Sequence, residues 1–380
     1  MNEFVANKRL IYGKDSLIQL PSLFSWYSVK KAFFVVYSEK APIVSKVCGC
    51  LEKAGIEVFI YAGIRAEPDL DTVDSAVSIC KENKCDSVIA LGGGSVIDTA
   101  KMVAMVCTNG GRAVDYQLNG RPVTNPPLLF ISIPSTVGTG AEATKVSVLY
   151  NKEKGFKKSI YHTSMISEIV ILDPEVVYGI PNSIIASTGI DAITHAIESY
   201  VSVFSTPVTK MYSLKALQLL KENIVKAYDD NKDLDALEGM LLGSYLAGCA
   251  ITAGTCLAHI VGQPVGAIYH IPHGNACSIY LTNSMRLNMD YSLQEYYDVA
   301  KVLGVEDVKT IRETAEKGIM ILEEMIRRVG LKTRLTDYVS KDDVNVQFII
   351  ENIQTSMGHI KTNPRPVSCE LFEQLLEMSM

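Results

Sequence analysis

Three of the six histidines, His259, His270 and His273, fall between Leu257 and Asn275, and no Lys, Arg, Asp or Glu occurs from Gly239 through Met285. Imidazoles gathered in apolar surroundings suit a divalent metal, because a neutral ring nitrogen can donate a lone pair. A metal also calls for a partner elsewhere in the chain. Asp191 and His195 in GIDAITHAIE are spaced i, i+4, so both face one side of a helix. With His259 and His273 they make a set of one carboxylate and three imidazoles. Such a set suits Fe2+, Zn2+, Mn2+, Co2+ or Ni2+. Glu198, one turn past His195, reads as a residue supporting the ligands from behind or, as the commoner case, as a solvated helix position.

A second chemistry lies in SVIALGGGSVIDTAK, Ser87 to Lys101. An apolar strand runs into three glycines and then a helix. Gly92, Gly93 and Gly94 let backbone approach a ligand closely, and the free N–H groups of the helix start would hold a pyrophosphate. Ser95 is placed to cap that helix, with Asp98 reaching back toward the cap. The spacing is not G-x-G-x-x-G, so the common dinucleotide fingerprint is absent. A second loop, IPSTVGTGAE from Ile133 to Glu142, carries Ser135, Thr136 and Thr139 among small residues, which suits backbone lying against a ligand. The two loops together favour a nucleotide.

The elements that must hold these residues fall into two regimes. Strands are expected at Lys8–Tyr12, Ala32–Val36, Glu57–Tyr61, Ser87–Leu91 and Leu128–Ile133, alternating with helices at Pro42–Ala54, Leu70–Asn83 and Val96–Cys107. Short apolar strands separated by amphipathic helices imply a mostly parallel sheet covered on both faces. After Pro181 helical periods dominate, at Ile184–Tyr200, Thr209–Ala227, Leu234–Thr252, Val308–Val329 and near Glu370–Met378. The reading is therefore an α/β nucleotide-binding domain over 1–180 and an all-α metal-binding domain over 181–380.

Composition agrees with a globular chain: 380 residues, 48% hydrophobic, 21% charged, net charge −6. No basic patch points to nucleic acid. No apolar leader opens the chain, and the uncharged run Met240–Val261 reads as buried helix, so no membrane partner is expected. Nine scattered cysteines without C-x-x-C fit reduced thiols in the cytoplasm.

The motifs LIYGKDSL, GGGSVIDTAK, IPSTVGTGAE, ILDPEVV, TGIDAITHAIE, HIVGQPVGAIYHIPHG and NPRP together resemble the iron-containing (group III) alcohol dehydrogenases, across nearly the whole chain. The resemblance implies the two-domain fold with a metal in the cleft, and interconversion of small primary alcohols and aldehydes with NAD or NADP. It matches Asp191, His195, His259 and His273 to the family's metal ligands. Gly92 to Val96 (Gly92, Gly93, Gly94, Ser95, Val96) and Asp98 match its pyrophosphate positions, and Ser135, Thr136, Thr139 and Lys157 match positions lining the cofactor. It also implies a homodimer paired near Leu10 to Gly13.

Three departures from the family pattern carry consequences. Gln263 replaces a common His four residues after His259, which leaves His270 as the expected proton carrier, on the same wall of the cleft as His273. Ser38 replaces the Asp that often contacts the adenosine ribose, so NADP is expected to be accepted beside NAD. Pro-Ser-Thr stands for Pro-Thr-Thr in the second loop and is expected to be neutral. Two rivals remain: a glycerol dehydrogenase-like polyol oxidoreductase using zinc, and a metal- and nucleotide-binding protein without turnover.

Overall fold

A computed structural model describes residues 3–64, 68–355 and 361–380. The chain divides into two compact units, one of 1–136 with 140–178, the other of 179–380 with 137–139.

The first unit holds β1 (Arg9–Tyr12), α1 (Leu20–Tyr27), β2 (Lys31–Val36), α2 (Pro42–Lys53), β3 (Glu57–Tyr61), α3 (Leu70–Glu82), β4 (Ser87–Gly92), α4 (Gly94–Asn109), α5 (Ala113–Leu118), β5 (Leu129–Pro134), β6 (Val146–Asn151), β7 (Phe156–Tyr161) and β8 (Ile169–Leu172). Six strands form a parallel sheet in the order β1-β8-β5-β4-β2-β3. Both faces are covered, which is why its inner strands are apolar throughout instead of alternating. Ala32, Phe34, Val36, Ile89 and Leu91 pack with Leu23 of α1 and Val44 of α2. Phe33, Val35, Val88 and Ala90 pack on the other side with Val73 of α3 and Val103 of α4.

The strand order reverses between β2 and β4, because β3 lies outside β2 while β5 continues beyond β4. Ligands of such sheets bind at the carboxyl ends of the strands flanking that reversal. The glycine loop lies there, after β4, and Ser38 lies there, just past β2. Within this unit the sequence reading does not give α1, α5, β8 or the two strands of the antiparallel hairpin β6–β7. Four apolar residues in Ile169–Leu172 are too few for periodicity to separate a strand from a helix.

The second unit holds α6 (Asn182–Val201), α7 (Pro207–Asp229), α8 (Leu234–Ala250), α9 (Leu257–Tyr269), α10 (His273–Asn288), α11 (Leu293–Val302), α12 (Ile311–Arg328), α13 (Val346–Thr355) and α14 (Cys369–Met378), with no strand among its described residues. The central α6 packs against α7, α8 and α10, and almost every side chain from Ile185 to Val201 is buried. Any charged group on it must therefore find a partner inside the protein. The segment Leu234–Ala253 is long and apolar enough to cross a bilayer, with mean hydropathy 1.3, yet 67% of its apolar 18-residue window is buried. Its apolarity is accounted for by packing against α6 and α7.

Candidate metal centre and nucleotide-binding loops

Three helices deliver the metal-ligand candidates. Asp191 and His195 project from one face of α6, His259 lies in the first turn of α9, and His273 opens α10. Around Asp191 Oδ1 stand three ring nitrogens, Nε2 of His259 at 3.5 Å, Nε2 of His273 at 3.5 Å and Nε2 of His195 at 3.8 Å. The rings of His195 and His259 stack with centroids 4.7 Å apart. Asp191 Oδ1 and His259 Nε2 are both buried without a hydrogen-bond partner. Leaving such atoms unsatisfied would cost about 1–3 kcal/mol each. Ligand atoms on a four-coordinate ion with bonds of about 2.0–2.2 Å stand roughly 3.3–3.6 Å apart, close to the spacing seen. The donors of Asp191, His259 and His273, which lie within 4.8 Å of one another, thus fit a divalent cation, with His195 beside them at 3.8 Å from Asp191.

Packing sets this geometry. A Cβ on Gly274 would lie 1.9 Å from the Ser187 carbonyl oxygen, so only glycine lets α10 approach α6 closely enough to bring His273 to Asp191. Between α9 and α10 the chain turns through His270, which takes the left-handed conformation (φ 54°) as the C-cap of α9, and Pro272 then starts α10.

Glu198 is not the solvated residue that the sequence suggests. It is buried and accepts hydrogen bonds from the backbone N–H of Cys256 (2.9 Å) and Ala258 (2.6 Å) and from Nδ1–H of His259 (2.6 Å). One carboxylate thereby satisfies the otherwise uncapped start of α9 and holds the His259 proton on Nδ1, which leaves the Nε2 lone pair for a metal. The available signal was its spacing, one turn from His195 on a helix too apolar to be exposed.

Cys277 is the other residue that the sequence reading missed. Its donor atom lies within 4.8 Å of those of Asp191, His259 and His273, and it sits one turn after His273, where the i, i+4 rule could have found it. His270, the expected proton carrier, is exposed at the turn, where a left-handed cap closes α9 and directs the chain into α10.

Electrostatics favour a cation. Burial opposes charge on Asp191, yet the imidazoles of His195, His273 and His259 hold its carboxyl below the usual carboxylate range. Burial lowers His195 to about 4 against the pull of Asp191, so this ring is neutral at pH 7. Cys277 and Asp191 lift His273 to about 9 against its partial desolvation. The His273 side chain is 47% exposed, whereas those of Asp191, His195 and His259 are buried. Three of the four candidate ligands are thus closed off from solvent and the fourth meets it.

In the first unit, a Cβ on Gly92 would lie 2.4 Å from the Val96 side chain, and one on Gly93 would lie 3.1 Å from Thr136 Cγ2. The glycines are needed for the tight passage from β4 into α4. Gly93 is the N-cap of α4, with no side-chain cap hydrogen bond, so Ser95 does not cap this helix. Asp98 does not reach back either: it accepts from Val148 N–H at 2.9 Å and from Lys101 Nζ at 3.3 Å. A lysine buried that deeply needs a counter-charge, and this draws the Asp98 carboxylate toward Lys101 and β6.

Thr136 Oγ1 is buried near Gly93 without a partner, and Ser135 N–H is tied to the Gly92 carbonyl at 2.9 Å. An uncapped helix start, a cradle that a Cβ would fill and an orphaned hydroxyl fit a phosphate-bearing cofactor. Ser38 accepts from Lys40 N–H at 3.3 Å. Lys157 is exposed on β7, and Val137–Thr139 belongs with the second unit.

Comparison with known proteins places the chain in a family. Residues 7–174 match the family model of iron-containing alcohol dehydrogenase, and residues 185–380 match the model of the C-terminal region of Fe-containing alcohol dehydrogenases. The chain is 27% identical to the NAD-dependent methanol dehydrogenase of Bacillus methanolicus, covering 100% of both chains. It is 32% identical to the NADPH-dependent butanol dehydrogenase of Clostridium saccharobutylicum, covering 89% of this chain and 87% of that one. The crystal structure of a 1,3-propanediol oxidoreductase superimposes with a TM-score of 0.94 at 27% identity, covering 100% of both. With its sheet domain and its helical region each matched to a model of the same family, the chain belongs to the iron-containing alcohol dehydrogenases.

Proposed function

We propose that the protein interconverts small primary alcohols and aldehydes, using a divalent cation, Fe2+ by family, held by Asp191, His195, His259 and His273, and NAD or NADP held by the loops after β4 and β5. The observation that carries this reading is the convergence of three imidazole nitrogens on the unpartnered Asp191 Oδ1. Bound there, the cation supplies Lewis acidity toward an alcohol or carbonyl oxygen, and the nicotinamide supplies the hydride exchange.

The chain's own residues do the rest. Glu198 holds the proton on His259 Nδ1 and fixes that ring. Asp191 balances the cation's charge, and the half-exposed His273 marks the side from which a small substrate enters. Gly92, Gly93 and Thr136 present backbone and hydroxyl to the cofactor phosphates.

The named relatives act on methanol and butanol, one with NAD and one with NADPH, which supports small alcohols without choosing the coenzyme. Ser38 offers no carboxylate against a 2′-phosphate, so NADP is assigned beside NAD. Nine cysteines, none of them in a disulfide, support a reducing compartment, the cytoplasm. The edge position of β1, hydrogen-bonded to β8 alone among the described strands, supports a homodimer. The test is loss of reduced-nicotinamide absorbance when metal-loaded protein meets a short-chain aldehyde, run with NADH and NADPH at one pH. Turnover with at least one coenzyme is expected, and none with either contradicts the reading.

A further inference from the structure

The family's ligand set, one Asp and three His, contains no sulfur, but this chain places a thiol beside it. Cys277 is fully buried on α10, and its Sγ lies 3.8 Å from Nε2 of His273. The donor atoms of Asp191, His259, His273 and Cys277 all fall within 4.8 Å of one another. Two of these atoms, Asp191 Oδ1 and His259 Nε2, are buried without a hydrogen-bond partner. The other buried thiol nearby, Cys256, is turned elsewhere: its Sγ faces the carbonyls of Glu198 (3.4 Å) and Thr362 (3.5 Å).

We propose that Cys277 Sγ is a further protein ligand of the cation held by Asp191, His195, His259 and His273. The inference rests on the metal centre proposed above and adds a sulfur donor to it. On binding, the thiol gives up its proton to solvent and a metal–sulfur bond forms, with no change of oxidation state. A thiolate among imidazoles and a carboxylate makes the site softer and moves its preference from iron toward zinc and cobalt.

The test is cobalt titration of the metal-free protein, read by absorbance and elemental analysis. The wild-type protein should take up one equivalent and show both visible d–d bands and an intense near-ultraviolet sulfur-to-cobalt charge-transfer band. Cys277→Ser and Cys277→Ala should still bind cobalt and keep the visible bands, but lose the near-ultraviolet band. Cys256→Ser should keep both. X-ray absorption of the zinc form should show one sulfur at about 2.3 Å.

Cobalt bound without the near-ultraviolet band, or a band that survives in both Cys277 variants, overturns the sulfur ligand and leaves the centre itself standing. No uptake of cobalt or zinc by the wild-type protein overturns both.

Discussion

Glu198 Oε2 lies 2.6 Å from His259 Nδ1, and the same carboxylate caps the first turn of α9 that carries this histidine. One residue therefore sets both the position of the helix and the tautomer of the ligand. Glu198→Gln keeps the shape but loses the charge, and should weaken metal binding roughly 10- to 100-fold. Competition with a chelator of known affinity measures this. Unchanged affinity would show that His259 is oriented by packing alone.

Gly274→Ala should be among the most damaging small substitutions in the chain. The new methyl would meet the Ser187 carbonyl, which is backbone and cannot rotate away. The expected cost is about 2–3 kcal/mol, seen as a lower Tm, together with loss of bound metal as α10 moves off α6. A variant with wild-type Tm and metal content would show that the contact is slack.

Metal uptake should depend on pH with a definite sign. His273 is lifted to about 9 before metal binds, so a cation must displace its proton at neutral pH. Apparent affinity should rise from pH 6 to pH 9, by up to roughly tenfold per unit for each proton displaced. Titration calorimetry in buffers of different ionisation enthalpy should report proton release at pH 7. Zero release would mean that neither His273 nor Cys277 gives up a proton to the cation.

His270→Asn tests the proton-carrier role that the sequence alone assigns to this residue. Its ring is exposed at a left-handed cap, a conformation that Asn also accepts, so the fold should be undisturbed. Metal content should be unchanged, turnover should stay within about twofold, and the pH profile of alcohol oxidation should keep its shape. A flattened profile between about pH 6 and 8 would return His270 to the mechanism.

Much of this was legible in the sequence, for physical reasons that also explain the gaps. Asp191 and His195 could be placed on one face because i, i+4 spacing is a property of every helix. His259 and His273 stood out because charge was absent around them. Glu198 was misread because spacing cannot say whether a helix face meets water or another helix, and α6 turned out to be buried on nearly all sides. Asp98 looked like half of a capping box, but the buried Lys101 claimed its carboxylate, a tertiary contact that no local pattern reports. Cys277 went unnoticed because a cysteine in an apolar run reads as packing until its neighbours are known.

The most direct test of the metal centre is to compare metal content and aldehyde-reducing rate in wild-type protein, Asp191→Asn and His259→Ala, each stripped with chelator and reloaded with Fe2+. The account predicts one metal per wild-type chain, with activity lost on stripping and restored on reloading. It predicts no retained metal and a rate reduced at least about 100-fold in both variants, with nucleotide binding intact. Full turnover by a stripped variant would contradict it.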